Sequence, residues 1–518
     1  MKRLSALCLT SLLFVISTVA FAAEPIDIGS RLELMVDDTL IESRSEDARF
    51  LLHHPTPREI VFNYDKPWEG TGCGYQSIFQ DGDLYRMYYK AWQLDVQQGK
   101  LGPNNSNFTC YAESKDGIRW KRPDLGLFAF PKGGSKDNNI VIGLDRRDWM
   151  GDAKPDPVHP AVFKDENPAC PADAKYKAIL RSRGPRGLLV LKSADGIHWS
   201  LMSDKPVITD GAFDSQNLAF WDPTIKKYRA YWRYFTAGTI NDEVWKPAGN
   251  RDIRTATSDD LLTWSKPQDL KYGDAPPEQL YTNQIKPYYR APHILVGFPT
   301  RYIERGWSKS MEALPEVEHR KKRSSISDRY GMAITEGLFM TSRDGVNFKR
   351  WQEAFLRPGI ERQGTWAYGH QYIAWQMVET KSETEGAPSE LSLYATEGYW
   401  TGKSNELRRY TMRIDGFVSI NAPLKGGEII TKPITFTGKE LKLNFSSSAA
   451  GGITVELQTP DGKPIPGFTA EDCTELFGDT IARPVHWKQG TDVSQLAGKP
   501  VRLKIKLKDA DLYSFKFE

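Results

Sequence analysis

The sequence predicts an all-β protein, with a five-bladed β-propeller followed by a C-terminal β-sandwich. Three observations lead to this prediction. A short hairpin motif occurs four times, alternating apolar strand patterns run through most of the chain, and no long helical periodicity interrupts them. Hairpins that recur in a chain of short strands are typical of propeller blades.

The hairpin motif reads Ser114-Lys-Asp116-Gly117-Ile-Arg-Trp120 in its first copy, and further copies begin at Ser193, Ser258 and Ser342. Each copy follows a short apolar run. An Asp-Gly turn and an aromatic residue that opens the next strand together indicate a β-hairpin. We expect the aspartate of each copy to be structural and to accept hydrogen bonds from nearby backbone amides.

Strand units of similar length divide the chain into domains. Four units end in the four motifs, and a fifth, degenerate unit begins near His370 and ends near Met412. An additional strand at 32–41 is expected to close the ring beside the fifth unit. These boundaries predict a propeller over 26–415 and a sandwich over 418–518. A charged insertion at 304–329 is interpreted as a solvated loop, with a lid or an anionic-substrate contact as the alternative.

The N-terminus predicts the cellular location. A basic start, an apolar stretch and the end Ala20-Phe-Ala22 indicate a secretory signal peptide over residues 1–22, so we expect a secreted or periplasmic protein without a membrane anchor. The 69 basic residues nearly balance the 66 acidic ones, so the net charge of the protein favours neither nucleic acid nor a membrane as partner. The oligomeric state is left open by the sequence.

The layout resembles the five-bladed glycoside hydrolases of the invertase and levanase type (family 32) and of the arabinanase and β-xylosidase type (family 43). The hairpins, the opening unit at 78–89 and the appended sandwich carry the resemblance. The Trp-x-Asn-Asp-Pro-Asn-Gly opening of the invertase type is absent, and Trp68-Glu69-Gly70 stands near its place, which indicates a divergent branch. The resemblance implies a carbohydrate substrate cleaved at chain ends in an axial pocket. It implies no required cofactor, although a structural calcium near the axis would fit it.

Glycoside hydrolysis needs one carboxylic acid to protonate the leaving oxygen and a second carboxylate as nucleophile or base. The resemblance implies acids near the inner ends of separate blades, so acids just ahead of each first strand are the candidates. Glu278 is the general-acid candidate by blade order. The candidate catalytic residues are Asp38, Asp65, Glu69, Asp214 and Glu278, of which one of the first three would join the last two.

Polar residues near the same blade starts are candidates for substrate binding. Amides can both donate to and accept from sugar hydroxyls, and a histidine near the axis can hold a water or a calcium ion in the resembled families. Glu336 is the next choice as general acid. The set comprises Tyr75, His159, Gln216, Asn217, Asn283, Arg290, Arg301, Glu336 and His370.

Three functions are compatible with this sequence. The first is an exported glycoside hydrolase. The second is a sialidase-like or lyase-like enzyme on anionic sugars, for which Arg233, Arg290 and Arg301 would bind the substrate carboxylate. The third is a non-catalytic glycan-binding propeller. Converging carboxylates favour the first, an arginine cluster the second, and neither feature the third.

Overall fold

The computed structural model describes residues 24–97, 99–102, 106–143, 153–241, 244–401 and 405–518. The chain is nearly all β, which confirms the predicted fold class at this level. The predicted signal peptide lies outside the described residues. Within the described ranges, none of the helices combines the length and the apolar character needed to cross a bilayer.

Five antiparallel sheets occupy the middle of the chain. The strands of each sheet are given below in their order across the sheet. Sheet 1 contains Gly74–Asp81, Leu84–Trp92, Asn107–Ser114 and Trp120–Lys121, with Ile140–Ile142 also paired to its third strand; sheet 2 contains Ala161–Lys164, Tyr176–Arg183, Arg186–Ser193 and Ser200–Leu201; sheet 3 contains Leu218–Asp222, Lys227–Ile240, Trp245–Ser258 and Gln268–Asp269; sheet 4 contains Lys286–Tyr288, Ala291–Gly297, Met340–Ser342 and Lys349–Arg350; sheet 5 contains Val378–Thr380, Glu390–Glu397, Glu406–Met412 and Thr56–Asn63.

The fifth sheet is completed by an N-terminal strand, but not by the predicted one. Thr56–Asn63 pairs with Glu406–Met412, whereas the predicted closing segment pairs elsewhere. Glu33–Leu34 pairs with Arg502–Phe517, and Ile41–Arg44 pairs with Gly427–Thr431. An alternating apolar pattern satisfies any sheet with one buried face, so the pattern at 32–41 did not distinguish these partners.

The four motifs form turns with the same hydrogen bonds. In the first, Ser114 Oγ accepts from Gly117 N at 3.0 Å, and Asp116 Oδ1 accepts from the amides of residues 118 and 119 at 2.9 and 2.7 Å. The copies at Ser193, Ser258 and Ser342 repeat the pattern. Aspartate in this motif therefore satisfies turn amides, as expected.

Two glutamine side chains link the segments at the starts of all five first strands. Gln216 Nε2 donates to the carbonyls of Tyr75 and Pro160 at 2.9 and 3.0 Å. Gln284 Nε2 donates to Gln216 Oε1 at 2.8 Å and to the carbonyl of Ile373 at 2.9 Å. The first strands of the five sheets thus begin around one line, which we call the axis.

The charged insertion is helical, which corrects the interpretation as a loop. It lies between Thr300–Glu304 and Ala333–Gly337, which pair as a separate hairpin. Its helices are α1 (Lys309–Ala313), α2 (Val317–Ser324) and α3 (Arg329–Met332). Arg320 and Arg323 of α2 are buried and donate to the carbonyls of Thr365 and Trp400. These contacts attach the insertion to the loops of sheet 5.

The C-terminal region forms an eight-stranded sheet with N-terminal strands. Its strands are Glu33–Leu34, Ile41–Arg44, Arg49–Leu52, Val418–Ala422, Gly427–Thr431, Leu441–Gln458, Asp479–Pro484 and Arg502–Phe517. Further described elements are the parallel pair Ile26–Gly29 and Ile434–Phe436, the pair Val96–Gln97 and Lys100–Leu101, and the 3₁₀ helices Ala172–Ala174 and Ser494–Leu496. Phe417 packs against Phe298 and Phe339 and so joins this region to sheet 4.

Candidate functional site

Five tyrosines gather where the first strands begin. Tyr75 lies stacked on Tyr372 with ring centroids 6.1 Å apart, and Tyr372 stacks on Tyr281 at 5.7 Å. Tyr368 donates from its hydroxyl to that of Tyr281 at 2.9 Å, and Tyr399 packs against both Tyr368 and Tyr372. We call this group of five residues the tyrosine site. Each of the five residues is at most 7 % exposed, so the rings form a buried aromatic cluster with polar hydroxyl edges.

The backbone explains how Tyr75 reaches the axis. The pairing of Gly74–Asp81 with Leu84–Trp92 shifts register between Gly74 and Ser77, and Tyr75 has a φ of 50°. A β-bulge of this kind changes the direction of a side chain, and a left-handed conformation is uncommon for a bulky residue. Such local strain is a feature of binding and catalytic sites.

A histidine between two carboxylates borders the tyrosine site. His159 Nδ1 lies 3.0 Å from Asp156 Oδ2, and its Nε2 lies 3.0 Å from Asp214 Oδ1. The His159 ring centroid is 5.7 Å from that of Tyr75. Burial opposes the charged form of His159, but the two carboxylates outweigh it and raise the pKa of the imidazole. The site therefore favours an imidazolium between two ionised acids.

Asp214 is the open member of this group. Its side chain is 56 % exposed, whereas those of His159 and Asp156 are each 4 % exposed. Burial opposes ionisation of Asp214, yet the hydrogen bond from His159 and the charges of Arg233 and Arg181 hold its pKa well below the usual range. Asp214 is thus an ionised carboxylate that solvent or a substrate can reach.

Lys90 is a buried amine within the same cluster. Its Nζ donates to the hydroxyl of Tyr399 at 3.1 Å and lies 4.3 Å from the ring centroid of Tyr75. In the described ranges it forms no ion pair with a carboxylate, and burial lowers its pKa to about 7. A lysine with this pKa can accept a proton near neutral pH.

Arg233 adds a second buried cation. Its Nε donates to the carbonyl of Ala212 at 3.1 Å, and its guanidinium lies 4.7 Å from the ring centroid of Tyr281. Arg233 is 4 % exposed and, among the described residues, has no carboxylate within ion-pair distance. The charge of Asp214 favours the charged form of Arg233, but among the described residues the buried Arg233 Nη1 has no hydrogen-bond partner, so this site favours a further anion.

Some of the residues predicted from the sequence lie at this site. His159 bonds Asp214, and the His159 ring lies against the ring of Tyr75. Gln216 and Asn217 follow Asp214, but their amides bind backbone groups, including Arg233 N at 3.2 Å from Asn217 Oδ1. Asn283 is also buried, and its amide lies 3.5 Å from the carbonyl of Tyr231. These three amides position the backbone around the site.

Glu278 is engaged in ion pairs away from this group. Arg301 donates to Glu278 at 2.8 Å and to Glu336 at 2.6 Å, and Arg350 binds the other Glu278 oxygen. Gln279 next to it bonds Arg251 N, and none of the described contacts of Glu278 is with Asp214 or His159. Two arginines stabilise the carboxylate form, so this arrangement does not suit a proton donor.

The remaining candidates are also bound elsewhere. Glu69 is fully buried against Arg122 and Tyr89, and burial raises its pKa. The other placements are as follows: Asp65 is exposed beside Lys66 and Arg122, Asp38 is exposed beside Lys349, Arg290 pairs with Asp415 at 3.0 Å, and His370 is buried and accepts from Trp366 N at 3.0 Å.

Sequence reasoning missed Lys90 and four of the five tyrosines. Lys90 stands in the run Met87-Tyr-Tyr-Lys90-Ala-Trp92, where a charge interrupts an apolar strand that is buried on both faces. That interruption was a usable signal. In the described ranges, no three His, Cys, Asp or Glu side chains are grouped so that they could hold a metal ion.

No protein-family model matches this chain, and no curated protein matches it. Several solved structures are similar. An N-acetylgalactosamine deacetylase from F. plautii in complex with blood group B trisaccharide is 12 % identical, with 70 % of this chain and 94 % of that chain covered and a TM-score of 0.41. A glycosyl hydrolase from Bacteroides ovatus is 14 % identical, with 69 % of this chain and 94 % of that chain covered and a TM-score of 0.39. An endo-arabinase from Bacteroides thetaiotaomicron is 11 % identical, with 68 % of this chain and 98 % of that chain covered and a TM-score of 0.39.

Proposed function

We propose that the five sheets are the blades of a propeller and that the tyrosine site is the substrate pocket of an exported, glycan-active enzyme. We further propose that the enzyme cleaves a glycan at an acidic sugar by β-elimination. The observation that supports this best is the pair of buried basic side chains, Lys90 and Arg233, which adjoin the tyrosines without an ion-paired carboxylate among the described residues.

Each group has a role in this reaction. The tyrosines form the apolar wall of the pocket with their hydroxyl edges toward the sugar, and Arg233 binds the substrate carboxylate, whose charge it neutralises. The neutral amine of Lys90 removes the proton from the carbon next to that carboxylate. The bond from the neighbouring carbon to the glycosidic oxygen breaks, a carbon–carbon double bond forms, and the leaving oxygen takes a proton from the His159–Asp214 pair.

Hydrolysis is the second candidate, and Asp214 favours it. An open, ionised carboxylate can act as a nucleophile or as a base toward water. A hydrolase also needs a second carboxyl group with a raised pKa as general acid, and Glu278 is held in its charged form by two arginines. Elimination can take the proton for its leaving oxygen from the imidazolium of His159 and needs no second carboxyl group, and we therefore place it first.

The test is to supply acidic polysaccharides (polygalacturonate, alginate and glucuronoxylan) and neutral ones (arabinan, galactan and mannan). Elimination yields an unsaturated product that absorbs in the ultraviolet, whereas hydrolysis yields reducing ends without that absorbance. Lys90→Met should reduce the elimination rate by roughly 10²–10⁴, the usual contribution of a general base. Lys205→Met, at an exposed lysine, is the matched control and should keep the wild-type rate. Cleavage of neutral glycans alone, or elimination unaffected by Lys90→Met, would refute the proposal.

A further inference from the structure

A cavity opens near the far ends of the first strands of sheets 1 and 2. It has a volume of about 730 Å³, within the range of small-molecule sites. Its lining comes from four sheets and includes Phe79, Lys164, Lys286, Tyr289, Gln376 and Glu379. We call it the lower cavity.

The lower cavity is distinct from the tyrosine site. Tyr75 lies at the start of Gly74–Asp81, and Phe79 and Gln80 lie near its end. Four or five residues of strand separate them by roughly 15 Å. His159 precedes Ala161–Lys164, whereas Lys164 ends that strand and lines the lower cavity. Two sheets thus place the two sites at opposite ends of the axis.

The wall of the lower cavity combines an open aromatic ring with polar groups. Tyr289 is 49 % exposed, and its hydroxyl is hydrogen bonded to Glu379. Lys286 Nζ donates to Gln376 Oε1 at 3.0 Å and lies 3.6 Å from Glu166. Gln376 is 8 % exposed, and among the described residues its Nε2 has no hydrogen-bond partner. A buried amide donor without a partner is costly, and a ligand oxygen would satisfy it.

The charges of the lower cavity indicate the class of ligand. Its charged lining residues are two lysines, Lys164 and Lys286, and two glutamates, Glu166 and Glu379. Lys164 also pairs with Asp81 at 2.9 Å. These charges compensate one another, unlike the surplus of cations at the tyrosine site. A neutral ligand with many hydroxyl groups and an apolar ring face matches this wall.

We propose that the lower cavity binds neutral sugar residues of a glycan and holds the protein on a polysaccharide without taking part in cleavage. Tyr289 stacks on the sugar ring, and the carboxylates, the lysines and the amide of Gln376 bind its hydroxyls. This site does not depend on the chemistry proposed for the tyrosine site.

Affinity electrophoresis in gels that contain arabinan, galactan, mannan or xylan tests this proposal. At least one of these neutral polysaccharides should retard the protein, and Tyr289→Ala should reduce the retardation at least fivefold. Phe477→Ala removes a 62 % exposed aromatic ring outside the lower cavity and should leave the retardation unchanged. Glu166→Gln, an isosteric change at an exposed position, is a second variant and should weaken binding even if Tyr289→Ala fails to fold.

The two sites can be separated in the same experiment. Tyr281→Ala alters the tyrosine site and should leave the retardation by neutral polysaccharides intact. Tyr289→Ala should leave the cleavage rate of a short soluble substrate at its wild-type value. Absence of retardation by all four polysaccharides, or retardation lost in Tyr281→Ala and kept in Tyr289→Ala and Glu166→Gln, would overturn the proposal.

Discussion

Lys90→Met should make the protein more stable, and the gain should depend on pH. Burial lowers the pKa of Lys90 from 10.5 to about 7. Between these values the unfolded chain binds a proton that the folded protein does not, so stability rises as the pH increases through this range. Below about 7 both states are protonated, and the folded state carries the full cost of the buried charge.

The magnitude follows from the same two values. A shift of one pKa unit corresponds to about 1.4 kcal/mol, so the full cost is on the order of 5 kcal/mol and is present below the folded pKa. At pH 9 about half of this cost remains, because Lys90 in the unfolded chain, with a pKa of 10.5, is still protonated at that pH. Methionine has a similar volume and no charge. The stability advantage of Lys90→Met over the wild type should therefore be about 2–3 kcal/mol larger at pH 6 than at pH 9.

Urea denaturation of both proteins at pH 6 and pH 9, followed by tryptophan fluorescence, measures this difference. Lys205→Met is the matched control for loss of one exposed positive charge and should show no comparable pH dependence. If the difference between Lys90→Met and the wild type is the same at both pH values, Lys90 does not carry the desolvation cost that its burial indicates. Its assignment as a base at neutral pH would then lose its physical basis.

Three further predictions concern other parts of the molecule. Asp195→Ala removes the acceptor of the amides of residues 197 and 198 and should cost on the order of 1 kcal/mol in a thermal or urea melt while activity is kept; a stable but inactive variant would contradict the structural role. Gln216→Ala leaves the buried carbonyls of Tyr75 and Pro160 without this donor and should lower stability by roughly 2–4 kcal/mol, and an unchanged melting temperature would show that the link between sheets is dispensable. Arg233→Met should raise KM for an acidic glycan at least tenfold, and equal effects on neutral and acidic substrates would argue against a carboxylate-binding role.

The sequence predicted those parts of the fold that depend on local interactions. The four hairpins were recognisable because Ser114, Asp116 and their counterparts bind amides within three residues. The partner of the strand at 32–41 was not recognisable, because its apolar alternation fits either sheet. The charges of the helical insertion predict a solvated loop, yet Arg320 and Arg323 are buried and donate to carbonyls distant in sequence.

The candidate site shows the same division. Asp214, His159 and Tyr75 were found because they stand directly before or at the start of a first strand, where the chain reaches the axis. Glu278 also stands ahead of a strand, but its partners Arg301 and Arg350 lie 23 and 72 residues further along the chain. Contacts this distant in sequence decide which carboxylates form ion pairs. The position of an acid relative to a strand therefore identifies it as a candidate but does not give its protonation state.

The geometry at the axis explains why functional groups gather there. Where the first strands begin, Tyr75, Gln284 and Gln371 have positive φ values, so the backbone departs from regular strand geometry. The side chains of Gln216 and Gln284 supply hydrogen bonds between the sheets at this point. Functional candidates also link the sheets here, because His159 bonds Asp214 and Lys90 donates to Tyr399. Lys90, Arg233 and Asp214 are ionisable groups that a region selected for stability alone would not retain in this place.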